Sequence, residues 1–369
     1  MSSFTVTYQL TLSDGEAVDE KIGNLCLEQS VELPAEVLDK RIRDQVVGRP
    51  RKKKQVGDHA YEVTIAWPLA DVGSDISQFL NLLYGNISLK PGIKITKVDW
   101  SSLAGNLFKG PRVGIEGVRR RYNITARPLS ATALKPLGCS SKALAELAFQ
   151  FAAGGIDLIK DDHGLANQMY APFEERVRAC VGAVRKAAQR TGRRSYYFPN
   201  ITADAGEIES RYRLAEESGA DGVLLSPHIA GLTVMHRLAR MEGELPIIAH
   251  PAFAGSLTMD ESQGFAPDFL YGQLWRALGA DFVIYPNTGG RFSFTLPQCR
   301  SINKAARRSD APFKASLPMP GGGIKVEHVS RWMNEYGADT CFLIGGSLYR
   351  YTGGIEAAAK IFATRIQKG

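Results

Sequence analysis

The stretch GGIDLIKDDHG (154–164) ends an apolar run with a lysine, two aspartates and a histidine in consecutive positions. Lys160 and Asp162 share one face of a predicted strand, because side chains alternate with period two. One interpretation is a buried ion pair. The other is a lysine of lowered pKa whose uncharged amine reacts with carbon dioxide, since the carbamate and Asp162 would then hold Mg²⁺ through oxygen.

Polar side chains also follow the other short apolar runs in this part of the chain. They are, in order, Lys135, Asn200, Thr202, His228 and His250. Two glycine clusters, PGGG (320–323) and IGGS (344–347), would expose backbone N–H groups that favour an anion. We therefore expect phosphate at Gly322, Gly323, Gly345 and Gly346, although tight turns alone would also use glycine.

The elements that would position these residues repeat about every thirty residues. From YNITARPLSATAL (122–134) to TCFLIGG (340–346), eight apolar runs alternate with amphipathic segments of helical spacing. This pattern predicts a TIM (β/α)8 barrel over 119–369, and an open doubly wound sheet is the main competitor. Residues 1–118 mix strand-like and helical stretches, which predicts a small α+β domain of ferredoxin-like type.

Composition narrows the class of protein. The chain has 369 residues, 44% hydrophobic and 22% charged, as expected of a globular protein. The net charge of +7 suits an anionic ligand but is too diffuse for nucleic acid, and we interpret GRPRKKK (48–54) as a solvated loop or turn. Five scattered cysteines indicate reduced thiols. With no signal peptide and no membrane span in the sequence, we expect a soluble, cytoplasmic protein.

Several motifs together resemble the RuBisCO large-subunit superfamily. They are LKPLG (134–138), GGIDLIKDDH (154–163), NITAD (200–204), PGGGI (320–324) and IGGS (344–347). The resemblance implies the same two-domain fold, with Lys160 as the carbamylated lysine and Asp162 as a ligand of Mg²⁺. It also implies that Lys135 and His250 are catalytic, and that the glycine clusters bind phosphate.

The resemblance further implies an active site shared between subunits. Glu28 in LEQS (27–30) and Asn106 in GNLF (105–108) match, more weakly, residues that reach the partner's active site. We therefore expect a homodimer or a higher homo-oligomer, with a phosphorylated sugar as substrate.

Three departures from the carbon-fixing members point to a RuBisCO-like protein. KPLG lacks the second lysine of their KPKLG motif, and YPNTGGRFSF (285–294) carries Arg291 where they have a lysine-bearing loop. His163 replaces the glutamate that is their third metal ligand. His163 is thus a ligand, a nearby acid or base, or a mark of a weakened metal site; we favour retained metal binding.

The expected reaction is proton transfer through a metal-stabilised enediolate. We favour isomerisation of 5-methylthioribulose 1-phosphate to 1-methylthioxylulose 5-phosphate in methylthioadenosine salvage. The alternatives are 2,3-diketo-5-methylthiopentyl-1-phosphate enolase, a keto-sugar-acid phosphate decarboxylase or hydrolase, and a non-catalytic phosphometabolite-binding regulator. Lys135 is the expected base, and its rivals are Lys90, Lys94 and Lys97.

Overall fold

The structure is a computed structural model and describes residues 2–309 and 311–368. Within these residues the strands are β1 (Ser3–Thr11), β2 (Arg49–Gly57), β3 (Ala60–Pro68), β4 (Ile93–Val98), β5 (Leu129–Leu134), β6 (Leu158–Asp161), β7 (Tyr196–Phe198), β8 (Val223–Leu225), β9 (Ile247–Ala249), β10 (Gly264–Phe265), β11 (Phe282–Pro286), β12 (Leu317–Gly321) and β13 (Cys341–Leu343). They form one five-stranded and one eight-stranded sheet.

The α-helices of the described residues lie between these strands and after the last one. They are α1 (Val18–Glu28), α2 (Lys40–Gln45), α3 (Ile76–Tyr84), α4 (Gly114–Tyr122), α5 (Ser141–Ala153), α6 (Phe173–Thr191), α7 (Ile208–Ser218), α8 (Pro227–Ala230), α9 (Leu232–Arg240), α10 (Gly255–Thr258), α11 (Trp275–Ala277), α12 (Leu296–Arg307), α13 (Val329–Tyr336), α14 (Gly346–Tyr349) and α15 (Ile355–Lys368). Short 3-10 helices cover Ala35–Val37, Leu69–Asp71, Asn86–Leu89 and Val326–His328, and a π-helix covers Asp268–Leu274.

The N-terminal sheet has the order β10-β4-β1-β3-β2, and β10 comes from the barrel half of the chain. Alternate residues of β1 are buried in the hydrophobic core, whereas Thr5, Thr7 and Gln9 between them are only half buried. This alternation gives the sheet one apolar face and one polar face.

The interpretation of GRPRKKK (48–54) as a loop or turn is wrong. These residues lie mostly in β2, which pairs antiparallel with β3 at the edge of the sheet and is exposed along its whole length. Lysines and arginines suit an edge strand, because their charges oppose pairing with another chain.

The eight-stranded sheet closes into the predicted TIM barrel. Its strands are parallel in the order β7-β6-β5-β13-β12-β11-β9-β8. Beyond β7, Ile201 N donates to Leu224 O at 2.9 Å and Leu224 N donates to Pro199 O at 2.8 Å, which joins the two ends of the sheet. The domain boundary between residues 118 and 119 stays a prediction.

Three helical segments differ from the regular helices that the sequence pattern predicts. The stretch PAEVLDKRIRDQV (34–46) has helical spacing throughout but forms a 3-10 turn and the short α2, and α4 was not predicted. Within PDFLYGQLWRALG (267–279), residues 268–274 form a π-helix. A Cβ at Gly272 would lie 2.4 Å from the Cβ of Ala305, so glycine is needed where the π-helix packs on α12. No helix in the described ranges is long and apolar enough to cross a membrane.

Candidate active site

The carboxyl end of the barrel brings together five of the predicted residues. Lys160 is the third residue of β6 and pairs with Ala133 of β5 and Phe198 of β7. Asp162 and His163 follow β6 directly, Lys135 follows β5, and His250 follows β9. We call Lys135, Lys160, Asp162, His163 and His250 the mouth cluster. The five residues lie close together because the carboxyl ends of the parallel strands meet at the same rim of the barrel.

Asp161 lies between Lys160 and Asp162 in the sequence, but its side chain points to the helix side of the barrel and fixes the end of β6. Its carboxylate accepts from Arg176 Nε at 3.1 Å, from the Tyr197 hydroxyl at 2.8 Å and from Asn200 N at 3.0 Å. Asp161 and Arg176 are both fully buried. A buried carboxylate needs such partners, and with Asp161 held on the helix side, Lys160 and Asp162 take the barrel side.

Lys160 is buried, with 2% of its surface exposed, and its Nζ donates to Asp161 O at 3.0 Å. Burial lowers the pKa of Lys160 from 10.5 to about 8; the negative charge of Asp162 opposes this and the positive charge of Lys135 adds to it. About a tenth of Lys160 is therefore uncharged at pH 7, and the uncharged amine is the form that reacts with carbon dioxide.

Asp162 forms its ion pair with Lys135 rather than with Lys160. The Lys135 Nζ donates to Asp162 Oδ2, while Gly164 N donates to Oδ1 at 3.3 Å. Burial raises the pKa of Asp162, but the hydrogen bond from Lys135 and the charge of Lys160 outweigh it, so the pKa is below its usual value. The interpretation of a simple Lys160–Asp162 pair is therefore wrong.

Two imidazoles stack beside this carboxylate. The rings of His163 and His250 lie 4.4 Å apart with 12° between their planes, and His163 Nδ1 is 3.5 Å from Asp162 Oδ1. Burial, followed by nearby positive charges, lowers the pKa of His250 well below its usual value, and burial also lowers the pKa of His163. His250 Nδ1 accepts from Ala252 N at 3.1 Å, so His250 carries its proton on Nε2 when neutral.

Tyr349 and Asn200 hold residues of the mouth cluster in place through hydrogen bonds. The Tyr349 hydroxyl, from α14, donates to Ala133 O at 2.9 Å and accepts from Lys135 N at 2.9 Å. Asn200 Nδ2 donates to His163 O and Leu165 O, each at 2.9 Å. Sequence reasoning missed Tyr349, because the contact joins residues 214 positions apart.

Two other predicted strand-end residues support the surrounding loops. Thr202 Oγ1 donates to Asn200 Oδ1 at 2.7 Å and accepts from Ser226 N at 3.0 Å. His228 Nε2 lies 3.3 Å from Trp275 Nε1, which donates to it, and burial lowers the pKa of His228 to about 4.

The glycine clusters lie at the ends of β12 and β13, beside the mouth cluster. Gly322 and Gly323 have φ of +82° and +69°, and a Cβ on Gly323 would lie 2.6 Å from Gly290 N. The loops after β11 and β12 therefore pack backbone against backbone. A Cβ on Gly345 would lie 3.9 Å from Lys135 Cε, while Gly346 faces open space. Exposed peptide groups with no side chain in front of them are suited to anion binding.

Comparisons with known proteins identify the family. The sequence profile of the ribulose bisphosphate carboxylase large chain, catalytic domain, matches residues 114–291. Ribulose bisphosphate carboxylase-like protein 1 of Rhodopseudomonas palustris is 38% identical over 344 residues, covering 93% of this chain and 92% of the relative. The chain belongs to the RuBisCO large-chain family.

Three further family members place the chain among RuBisCO-like relatives. The 5-methylthioribulose-1-phosphate isomerase of Rhodospirillum rubrum is 36% identical, covering 90% of this chain and 88% of the relative. The 2,3-diketo-5-methylthiopentyl-1-phosphate enolase of Bacillus pumilus is 32% identical, covering 99% and 92%. The crystal structure of a Rubisco-like protein from Rhodopseudomonas palustris superposes with a TM-score of 0.90, at 35% identity, covering 100% of this chain and 98% of that one.

Glu28 and Asn106, the weaker matches to the RuBisCO family, lie apart from the mouth cluster. The Glu28 carboxylate is paired with Lys90 and accepts from Asn86 Nδ2 at 3.1 Å, which lowers its pKa. Asn106 is exposed in the turn before Leu107. Within 2–309 and 311–368, neither residue has a hydrogen bond or ion pair to the mouth cluster, so the single chain does not unite the two sets.

The rival lysines have other surroundings. Lys90 pairs with Glu28, and Lys97 is exposed on β4. Lys94 donates to Asp260 O, and its burial lowers its pKa. Lys135 is the lysine among these candidates that contacts Asp162.

The donor set at the mouth limits which metal sites this family member can form. Among the described residues, no three His, Cys, Asp or Glu side chains cluster closely enough to hold a metal ion. Asp162 and His163 supply one carboxylate and one imidazole, 3.5 Å apart. The residues fit a divalent cation if Lys160 adds carbamate oxygens, because a hard cation prefers several oxygen ligands.

Proposed function

We propose that the protein is an isomerase of a phosphorylated ketose, converting 5-methylthioribulose 1-phosphate to 1-methylthioxylulose 5-phosphate. The observation that carries this proposal is the grouping of buried Lys160 with the Lys135–Asp162 ion pair, beside the stacked His163 and His250. The cluster offers groups that can hold and move protons at the barrel rim, which is where TIM-barrel enzymes carry out chemistry.

In the proposed reaction, the carbonyl moves along the carbon chain by successive proton transfers. Lys135 takes a proton from the carbon next to the carbonyl, and the electron pair forms an enediolate. Reprotonation of the former carbonyl carbon leaves the carbonyl on its neighbour, and a second round of the same two transfers moves it one carbon further, to its position in the product. No oxidant or reductant is consumed. His250, neutral with its proton on Nε2, is suited to donate a hydrogen bond to a developing oxyanion.

A divalent cation, Mg²⁺ being the first candidate, would be held by a carbamate on Lys160, by Asp162 and by His163. Held there, it would supply electrostatic stabilisation to the enediolate. Asp162 Oδ2 is in an ion pair with Lys135 and Oδ1 accepts from Gly164 N, so Asp162 would offer the ion the remaining lone pairs of its carboxylate.

The barrel mouth has one region suited to the phosphate end of the substrate and another suited to its methylthio end. We place its phosphate at Gly322, Gly323, Gly345 and Gly346. At the other side, the half-exposed Leu137 lies over Gly164: a Cβ at Gly164 would be 3.1 Å from Leu137 Cδ1 and 3.5 Å from Asp162 Oδ1. An apolar side chain so close to the catalytic carboxylate suits a thioether substituent.

A second candidate is the enolisation of 2,3-diketo-5-methylthiopentyl 1-phosphate. The similarity to the Bacillus pumilus enolase, which spans 99% of this chain, favours it. Enolisation needs the same base and the same enediolate stabilisation but stops after one proton transfer. The isomerase is preferred because His163 replaces a glutamate ligand and because the Rhodospirillum rubrum isomerase is 36% identical.

The two candidates are separated by product analysis. The protein, supplied with Mg²⁺ and bicarbonate, is incubated in deuterated water with each substrate in turn, and the products are followed by NMR. The isomerase proposal predicts 1-methylthioxylulose 5-phosphate carrying solvent deuterium. Turnover of the diketo substrate alone would establish the enolase instead, and no turnover of either, with tight binding of both, would favour the regulator.

We also propose that the active site is completed by a second copy of the chain, through Glu28 and Asn106. Neither residue reaches the mouth cluster of its own chain, which supports a contribution across an interface. Mixing inactive Glu28→Ala with inactive Lys160→Ala under subunit exchange should restore activity. Full activity of Glu28→Ala alone, or no recovery despite proven exchange, would contradict shared sites.

A further inference from the structure

The polar face of the N-terminal sheet carries a row of basic and hydroxyl side chains. Lys52 of β2 pairs with Thr64 of β3, Thr64 pairs with Thr7 of β1, and Thr7 pairs with Lys97 of β4. Directly paired residues point to the same face of a sheet. The hydroxyl oxygens of Thr7 and Thr64 are 3.1 Å apart, so the row has two threonines at its centre and one lysine at each end.

This row forms one wall of a cavity of about 570 Å³ between the sheet and the flank of the barrel. The opposite wall comes from the π-helix, the end of α12 and residues 311–313. Arg276 holds that wall together, because its guanidinium donates to Lys314 O at 2.8 Å and to Arg308 O at 2.9 Å. The cavity lies on the flank of the barrel, whereas the mouth cluster lies at the carboxyl ends of the strands.

The charge of the lining is strongly positive. Among the described residues that line the cavity, the cationic ones are Arg51, Lys52, Lys97, Arg276 and Arg308, and the acidic one is Asp99. Asp99 already accepts from Ser101 N at 3.1 Å and from Ser101 Oγ at 2.8 Å. Within the described ranges, Arg51, Lys52 and Lys97 have no ion pair with an acidic side chain, so their charges are available to a ligand.

We propose that this cavity binds a small metabolite bearing a phosphate group, at a site separate from the active site. The phosphate lies over Thr7 and Thr64. One of the two hydroxyl groups donates to the other, which donates to the phosphate, and Lys52 and Lys97 approach from either side. Neighbouring strands are about 4.8 Å apart, which places the two lysines within reach of one centrally bound phosphate. A volume of about 570 Å³ is in the range of cavities that enclose a nucleotide or a sugar phosphate.

Of the basic run 48–54, Arg51 and Lys52 line this cavity, and the active site uses neither of them. The proposal does not depend on the proposed isomerase activity, because none of its residues belongs to the mouth cluster. Both possible ligand sources, nucleotides and sugar phosphates, share the phosphate that the row would recognise.

The test is calorimetric titration of the full chain with inorganic pyrophosphate, AMP and ribose 5-phosphate. The double variant Lys52→Gln/Lys97→Gln should bind each ligand that the wild type binds roughly a hundredfold more weakly, about tenfold for each charged hydrogen bond removed. Lys53 is the matched control, because it pairs with Val63 and with Asp19 on the opposite face of the same strand. Lys53→Gln should change the affinity less than about twofold.

The relative affinities of the three probes show which class of ligand the cavity binds. Tighter binding of AMP identifies a nucleotide as the ligand class, and tighter binding of ribose 5-phosphate identifies a sugar phosphate. The proposal is overturned if Lys135→Met, and not the double variant, removes the binding, because the ligand would then occupy the barrel mouth. It is also overturned if none of the three probes binds, or if single-stranded RNA binds tightly while the probes do not.

Discussion

Lys160 should take up carbon dioxide at a pH more than two units below that of an ordinary lysine. Burial brings its pKa from 10.5 to about 8. At pH 7 roughly a tenth of Lys160 is then uncharged, against roughly 0.03% of an ordinary lysine, which is an increase of roughly 300-fold in the reactive form. The structure thus makes carbamate formation feasible under conditions in which surface lysines stay protonated.

The assay is ¹³C NMR of the protein without added metal, at a fixed concentration of dissolved ¹³CO₂ from pH 6 to pH 10. A carbamate signal should appear with a midpoint near pH 8 and be absent from Lys160→Met. Lys135→Met should move the midpoint upward, because it removes a nearby positive charge and leaves Asp162 free to stabilise protonated Lys160. A signal that does not depend on Lys160, or a midpoint near 10.5, would refute the reasoning.

Three further predictions test the site and its surroundings. The pKa of Lys160 is about 8 in the folded chain and 10.5 in the unfolded chain, so between these pH values the unfolded chain binds more protons and stability rises with pH. Lys160→Met should therefore add up to about 3 kcal/mol to the free energy of unfolding at pH 7. Urea titrations of this variant at several pH values should also show a flatter rise of stability between pH 8 and 10.5. Gly323→Ala should lower the free energy of unfolding by more than about 2 kcal/mol and raise KM, because its Cβ would meet Gly290. Gly322→Ala, whose Cβ would have open space around it, should lower the free energy of unfolding by only about 1 kcal/mol. Equal effects of the two variants would contradict the packing of Gly323 against Gly290. Asp161→Ala should cost about 3–5 kcal/mol by leaving Arg176 buried and unpaired, and Asp161→Ala/Arg176→Met should recover part of that loss.

The barrel and the grouping of the mouth-cluster residues could both be predicted from the sequence, for physical reasons. Alternating strands and helices specify a barrel, and the carboxyl ends of parallel strands must meet at one rim, so Lys135, Lys160, Asp162, His163 and His250 converge. Which lysine pairs with Asp162 could not be predicted, because it depends on side-chain geometry across two strands. The same holds for Tyr349, which supports Lys135 from the helix after β13, a strand that neighbours β5 in the barrel although it is more than 200 residues away in sequence.

Other features depend on the partner of a segment and not on its residue types alone. The run 48–54 is a strand because it pairs with β3 in a hairpin that turns at Asp58 and His59, not because lysines favour strands. The π-helix forms where Gly272 packs on α12, and β10 forms by pairing with β4 across more than 160 residues. Local propensity is a weak guide wherever such long-range packing decides the structure.

The measurement that tests the central claim most directly is solvent deuterium exchange by Lys135→Met. With 5-methylthioribulose 1-phosphate, Mg²⁺ and bicarbonate in deuterated water, the wild type should exchange the hydrogen on the carbon next to the carbonyl. Lys135→Met should bind the substrate and lose this exchange by roughly a hundredfold to ten-thousandfold, while the matched variant Lys94→Met keeps it. Exchange by Lys135→Met at the wild-type rate, or its loss in Lys94→Met instead, would show that the base lies outside the mouth cluster.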